Sequence, residues 1–173
     1  WPAIAALLLL GLVWWSLWQS EGEHWRIEAT VQPAFVDGAP AHVGSDIHAG
    51  QILTCENGGS IRLAADDGSL LILDEAGSIR LAHGSDGFHL NRGRLQATIV
   101  PRRTAAPLRI STPHGTATVL GTRFTLRVAN NTRLAVESGR VALEDHGDGS
   151  RVEVAAGENA TALGLPGLPT NAL

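Results

Sequence analysis

From Arg26 onward the chain is a succession of short apolar alternations separated by glycine-bearing turn signals, and that pattern favours strands over helices. NGG at 57–59, DDG at 66–68, EAG at 75–77, HGSDG at 83–87 and NRG at 91–93 recur about eight to ten residues apart, the spacing of short strands in an all-β domain. The first run alternates Ile27, Ala29 and Val31 against Arg26, Glu28 and Thr30, so the odd-numbered side chains are expected inside. Leu95, Ala97 and Ile99 follow a tight turn expected at Gly93, and Pro101 ends that strand because it cannot donate to a ladder. The densest stretch is 111–141. There Ala117 and Val119 precede Gly121, Phe124, Leu126 and Val128 follow it, Asn130 and Asn131 make a hairpin turn, and Leu134 and Val136 lead to a turn at Gly139. Further strands carry Val141 and Leu143, then Val152 and Val154, with a turn at Gly157.

Residues 59–64 read GSIRLA and residues 77–82 read GSIRLA again, with GSLLIL at 68–73 between them. Two arrangements fit a repeat this short: a wound, solenoid-like coil, or an antiparallel meander. In a coil of eighteen residues the two identical hexapeptides stack, Ile61 and Leu63 above Ile79 and Leu81, with Arg62 and Arg80 outside. The middle unit is apolar on both faces, Leu70 and Ile72 on one and Leu71 and Leu73 on the other, so it is expected to be covered more fully.

The first twenty residues carry no charge, and residues 2–18 would form a helix of about 26 Å, close to the ~30 Å hydrocarbon core of a bilayer. Trp14, Trp15 and Trp18 cluster at one end and Trp1 stands at the other, as at two membrane interfaces. The residues that follow, SLWQSEGEHW, lack a small-x-small cleavage pattern, so an uncleaved anchor is expected rather than a signal peptide. The sequence contains no Met, which points to a longer chain with residues before Trp1. The expected division is an anchor at 1–20, a juxtamembrane segment with the first strand or strands at 21–49, a β-domain at 50–163 and a tail or linker at 164–173.

A formal net charge of −4 gives no basic face for nucleic acid. The single Cys55 excludes an intrachain disulfide framework and reads as a small packed side chain or an inconsequential surface thiol. Enzyme signatures are absent: there is no His-Glu-x-x-His, no paired Cys and no Gly-x-Ser-x-Gly. His42 and His48, like His83 and His89, lie six apart, some 20 Å along a strand at ~3.4 Å per residue, too far for one metal without a turn. Ser111 and His114 with a distant Asp can be drawn as a triad, as in any chain of this length. Asp66-Asp67-Gly68 and the pair Asp145 and Asp148 read as tight turns before calcium ligands. No cofactor and no catalytic residue are expected.

Asp67-Gly68-Ser69, then Leu90 with Arg92-Gly93, then Thr112, then Val119-Leu120-Gly121-Thr122-Arg123-Phe124, then Val136-Glu137-Ser138-Gly139-Arg140-Val141, and finally Ala156-Gly157-Glu158 together resemble the FecR domain. This is the envelope-side β-domain of membrane-anchored anti-sigma regulators of the iron-dicitrate sensor type. The resemblance covers about residues 50–162 and rests most on the Gly-Thr-Arg-Phe tetrad with the Val-Glu-x-Gly-x-Val turn after it. It implies an all-β stack of short strands, twisted and solenoid-like or sandwich-like, behind one transmembrane helix. It also implies a single-pass protein of the bacterial inner membrane whose β-domain stands on the periplasmic side. The partners it implies are the membrane through residues 1–18, a sigma factor through residues before Trp1, and an envelope or outer-membrane protein from outside. The alternative is a scaffolding β-domain of a larger envelope protein with no sigma-factor partner. Gly121, Thr122, Phe124, Gly139 and Gly157 are read as fold-defining positions. The exposed members of the same strands, Arg123, Arg127, Arg133 and Glu137, are read as partner contacts.

Overall fold

The computed structural model describes residues 24–82, 87–101 and 107–164. Its strands are β1 (Trp25–Val31), β2 (Ala34–Val36), β3 (Ala39–Pro40), β4 (Asp46–Ile47), β5 (Ile52–Cys55), β6 (Ser60–Ala65), β7 (Leu70–Leu81), β8 (Gly87–Thr98), β9 (Leu108–Ser111), β10 (Gly115–Val119), β11 (Arg123–Val128), β12 (Thr132–Ser138), β13 (Arg140–Asp145), β14 (Arg151–Ala155) and β15 (Asn159–Ala162). Among the described residues no helix is long and apolar enough to cross a membrane. The apolar run at 1–18 lies outside them.

The organising element is the hairpin of β7 and β8, whose strands are twelve residues each and bend in the middle. The ladder between them slips between Asp74 and Ser78, so each half of the hairpin belongs to a different sheet. Sheet 1 runs β3-β2-β5-β7-β8-β9-β10-β13-β14 and uses the late half of β7 with the early half of β8. Sheet 2 runs β4-β1-β6-β7-β8-β11-β12-β15 and uses the other halves. The inward side chains of both sheets form one core, from Trp25 and Ile27 through Leu71, Phe88 and Phe124 to Val154. Trp25 and Phe88 meet edge to face across it, with ring centroids 5.2 Å apart, the geometry that ring quadrupoles favour.

The turns expected from EAG and NRG are therefore not strand ends. Glu75 and Ala76 adopt left-handed conformations, φ 55° and 54°, within β7, and Gly93 (φ 94°) lies opposite within β8. A Cβ on Gly93 would come 2.4 Å from the Gly77 Cα, so two glycines let the strands touch where both bend. The Cys55 thiol spans this bulge. It accepts the Gly77 N–H at 3.3 Å and donates to the Leu73 carbonyl at 3.7 Å, and it is buried. Burial pushes its pKa up.

The stacking of the two GSIRLA copies does not occur. The first lies in sheet 2 between β1 and β7, with Ile61 opposite Leu73, and the second lies in sheet 1 between β5 and β8, with Ile79 opposite Leu53 and Leu90. Among the described residues only β8 and β9 pair in parallel, whereas a wound coil stacks parallel strands; the sandwich-like alternative describes the chain. The alternation read for β1 also breaks. A bulge between Ile27 and Ala29 turns Ala29 outward and leaves Val31 56% exposed.

The sandwich has two distinct ends. At the N-terminal end β1 starts beside β4, β6 finishes and β7 begins. The links from β10 to β11, β12 to β13 and β14 to β15 cross between sheets there. At the bend end lie the β7–β8 bend and the turn joining β13 to β14, where the Asp145 carboxylate accepts the N–H groups of Gly147, Leu163 and Gly164 at 2.7, 2.7 and 3.1 Å. Those amides hold its pKa below the usual carboxylate value. The chain thus enters sheet 2 at one end and leaves it at the other.

Candidate protein-contact surface

Strand alternation places Phe124, Leu126 and Val128 in the core and Arg123, Thr125 and Arg127 on the outer face of sheet 2. Cross-strand register then assembles the surface. One row runs Asp74, Arg94, Arg127 and Arg133, a second Ile72, Gln96, Thr125 and Ala135, and a third Leu70, Thr98, Arg123 and Ser138. Arginines directly opposite one another repel, and the carboxylates of the bulge offset this. Arg94 makes two bonds of 2.8 Å to Asp74, whose second oxygen also accepts from Gln96 at 3.2 Å. Glu75 bridges Arg94 at 3.2 Å and Arg127 at 2.9 Å. Donating to the Asp74 carboxylate raises the Arg94 pKa further. The left-handed pair Glu75 and Ala76 costs on the order of 1–3 kcal/mol per residue, and it points Glu75 at two guanidinium groups.

The four side chains read as partner contacts fall in two places. Arg123 and Glu137 rim a depression of about 260 Å³ toward the N-terminal end, whose floor includes Leu70 and Ile72, with Arg62 on the far side. Arg127 and Arg133 flank a second depression, also about 260 Å³, against Asn130 and Asn131 at the bend end. Among the described residues Arg123 and Arg133 form no ion pair, whereas Arg62 is held by Glu28 at 2.7 Å. Asp74, Glu75 and Arg94 were not singled out from sequence, because EAG reads as an ordinary turn. Leu70 and Ile72 were signalled by their strand being apolar on both faces, and in the fold they remain half-exposed.

The family-marking residues meet at the N-terminal end. A Cβ on Gly121 (φ 150°) would lie 2.5 Å from the Pro101 Cα, and one on Gly139 (φ 79°) would lie 2.6 Å from the Thr122 methyl and 2.7 Å from the Gly121 carbonyl. Both glycines stand where the chain passes between sheets, and no side chain fits either place. Phe124 is buried beside this corner. Thr122 is buried too, its Oγ1 without a hydrogen-bond partner among the described residues. Gly157 turns the chain in open space, and its N–H bonds the Val136 carbonyl at 2.8 Å.

Ser111 does not join His114. It contacts His89 Nδ1 at 2.8 Å and reaches the Phe88 carbonyl at 3.4 Å. His114 instead bonds Thr132 at 3.1 Å, within a buried Thr112–Thr132 contact of 2.8 Å that ties the two sheets. Among the described residues no three His, Cys, Asp or Glu side chains group to hold a metal.

With this geometry in view, the sequence profile described as FecR protein matches residues 51–158. No curated protein matches the chain. Two crystal structures of a candidate anti-sigma factor from Parabacteroides distasonis ATCC 8503, at 1.65 and 2.50 Å resolution, are similar in fold, each with a TM-score of 0.57. Identity to them is 15% and 16%, and 69% of this chain is covered in each case. The chain spans little more than half of theirs, 56% and 55%.

Proposed function

Because this chain belongs to the FecR protein family, we propose that it is a single-pass regulator of the bacterial inner membrane that works by protein contact. Its β-domain stands on the periplasmic side, receives a signal from an envelope or outer-membrane protein, and passes it through residues 1–18 to a sigma factor. The observation that carries this reading is the profile match over residues 51–158. The fold likeness to a candidate anti-sigma factor and the apolar, Trp-flanked N-terminus support it. The outer face of sheet 2 is the contact surface, since Arg123, beside half-exposed Leu70 and Ile72, and Arg133, beside Asn130 and Asn131, present cationic side chains without ion-pair partners among the described residues.

The test is co-purification of the full-length gene product with a sigma factor, and separately with its envelope partner. A full-length gene encoding no cytoplasmic segment ahead of Trp1 sinks the sigma-factor arm. Arg123→Glu and Arg133→Glu are expected to abolish envelope-partner capture without shifting the melting temperature. Capture unchanged by both variants removes the sheet 2 face as the contact.

A further inference from the structure

We propose that the N-terminal end of the sandwich lies against lipid headgroups, with Leu120 and Val100 touching the bilayer surface. The proposal rests on residues 1–18 being the membrane anchor. Only residues 19–23 separate Trp18 from His24, and a fully extended connection of that length reaches about 20 Å. β1 begins immediately afterwards, at Trp25, at this end of the sandwich. The N-terminal end is therefore tethered within about 20 Å of the point where the span leaves the membrane. The bend end lies farther from that tether by the length of a strand, again about 20 Å for six residues.

The same end carries two exposed apolar residues on neighbouring segments. Leu120 is 60% exposed and Val100 37%. Their neighbours Gly121 and Pro101 are in contact, close enough that a Cβ on Gly121 would overlap Pro101. The Ile99 N–H bonds the Thr122 carbonyl at 2.9 Å, which fixes the two segments side by side. The bend end has exposed apolar residues too, but on different elements: Val31 ends β1 near one margin of sheet 2, Val152 lies on the edge strand of sheet 1, and Leu163 follows β15. Apolar side chains gain by leaving water at a membrane interface, and short tethering makes the encounter effectively intramolecular. In this orientation Arg123 and Glu137 occupy the membrane-proximal part of the sheet 2 face and Arg127 and Arg133 its membrane-distal part, and the face as a whole stays open to a partner from the side.

The experiment reconstitutes the full chain into vesicles of three parts phosphatidylcholine to one part phosphatidylglycerol. Nitroxide labels are placed one at a time through Leu120→Cys, Val100→Cys, Val31→Cys and Val152→Cys. Cys55 is 2% exposed, and wild type carried through the labelling reaction controls for its reactivity. Labels at 120 and 100 are expected to be at least threefold less accessible to a water-soluble nickel chelate than those at 31 and 152, and more accessible to oxygen. Vesicle flotation with all four labels equally accessible to the chelate overturns the proposal while leaving the anchor in place, and frees this end for a protein partner. A chain that does not float with the vesicles overturns the anchor reading and this inference together. Two labels at each end keep the result readable if one variant does not fold.

Discussion

The two GSIRLA hexapeptides are chemically identical, yet each is the middle of a different sheet. Both run from the bend end toward the N-terminal end and both send a fully buried isoleucine, Ile61 or Ile79, into the shared core. They diverge beyond that. Leu63 is buried between β1 and β7, whereas Leu81, at the end of its strand, is half-exposed. Arg62 has Glu28 as a partner, and Arg80 has no ion pair among the described residues. The glycines differ most. Gly59 lies where a Cβ would meet the Pro33 carbonyl at 2.2 Å, while at Gly77 it would meet the end of the Leu73 side chain at 2.5 Å and the Asp74 carbonyl at 2.8 Å. A repeated sequence here repeats a role, a strand leaving a tight bend, without repeating its neighbours.

Substitutions matched between the copies test that comparison. The largest effect is expected at the glycines. Gly59→Ala should cost about 3 kcal/mol, because a backbone carbonyl at 2.2 Å cannot yield, and Gly77→Ala about 2, because its backbone obstacle, the Asp74 carbonyl, stands farther off at 2.8 Å and the Leu73 tip can shift; urea unfolding midpoints measure both. Equal costs would show that the bulge is as rigid as the β5–β6 turn. The core positions come next. Ile61→Ala and Ile79→Ala are expected to cost the same, roughly 3 kcal/mol each, whereas Leu63→Ala should cost about 3 and Leu81→Ala about 1. A large cost at Leu81 would contradict its half-exposed place.

The thiol clip belongs only to the second copy. Cys55→Ala removes the acceptor of the Gly77 N–H and should cost about 1–2 kcal/mol, with amide exchange at Gly77 accelerating and that at Gly59 unchanged. The native thiol has a pKa raised above its ordinary 9.0, so the neutral form is favoured in the fold. Its contribution is complete below that value and is lost as pH rises through the folded-state pKa, so wild type should lose stability in alkali more steeply than Cys55→Ala. The smallest contrast is at the arginines. Arg62→Ala should cost no more than about 0.5 kcal/mol for an exposed pair, and Arg80→Ala nothing measurable by thermal melting.

The strands themselves were legible in the sequence, because period-2 alternation and glycine turns are local signals. Phe124, Leu126, Val128, Leu134 and Val136 all face the core as their alternation indicates. What was not legible is non-local. EAG and NRG have the composition of turns, and only the pairing of Asp74 with Arg94 and of Ser78 with Arg92 shows two strands continuing through them. The bulge at Ile27 and Ala29 likewise changes which side chains of β1 are inside without any mark in composition. For the contact surface, exposure of Arg123, Arg127, Arg133 and Glu137 followed from alternation. Their division into two depressions depends on register across β7, β8, β11 and β12, and the carboxylate that restrains Arg127, that of Glu75, comes from the bulge that read as a turn.

Because the chain enters sheet 2 at the N-terminal end and leaves it at the bend end, tension between its two extremities is directed along the strands. The β1–β6 ladder, with six paired positions, and the β12–β15 ladder, with four, are then loaded in shear. Inter-strand bonds perpendicular to the pull share the load instead of opening one after another. Tension applied between the two extremities of the described domain would thus strain it in its mechanically resistant direction.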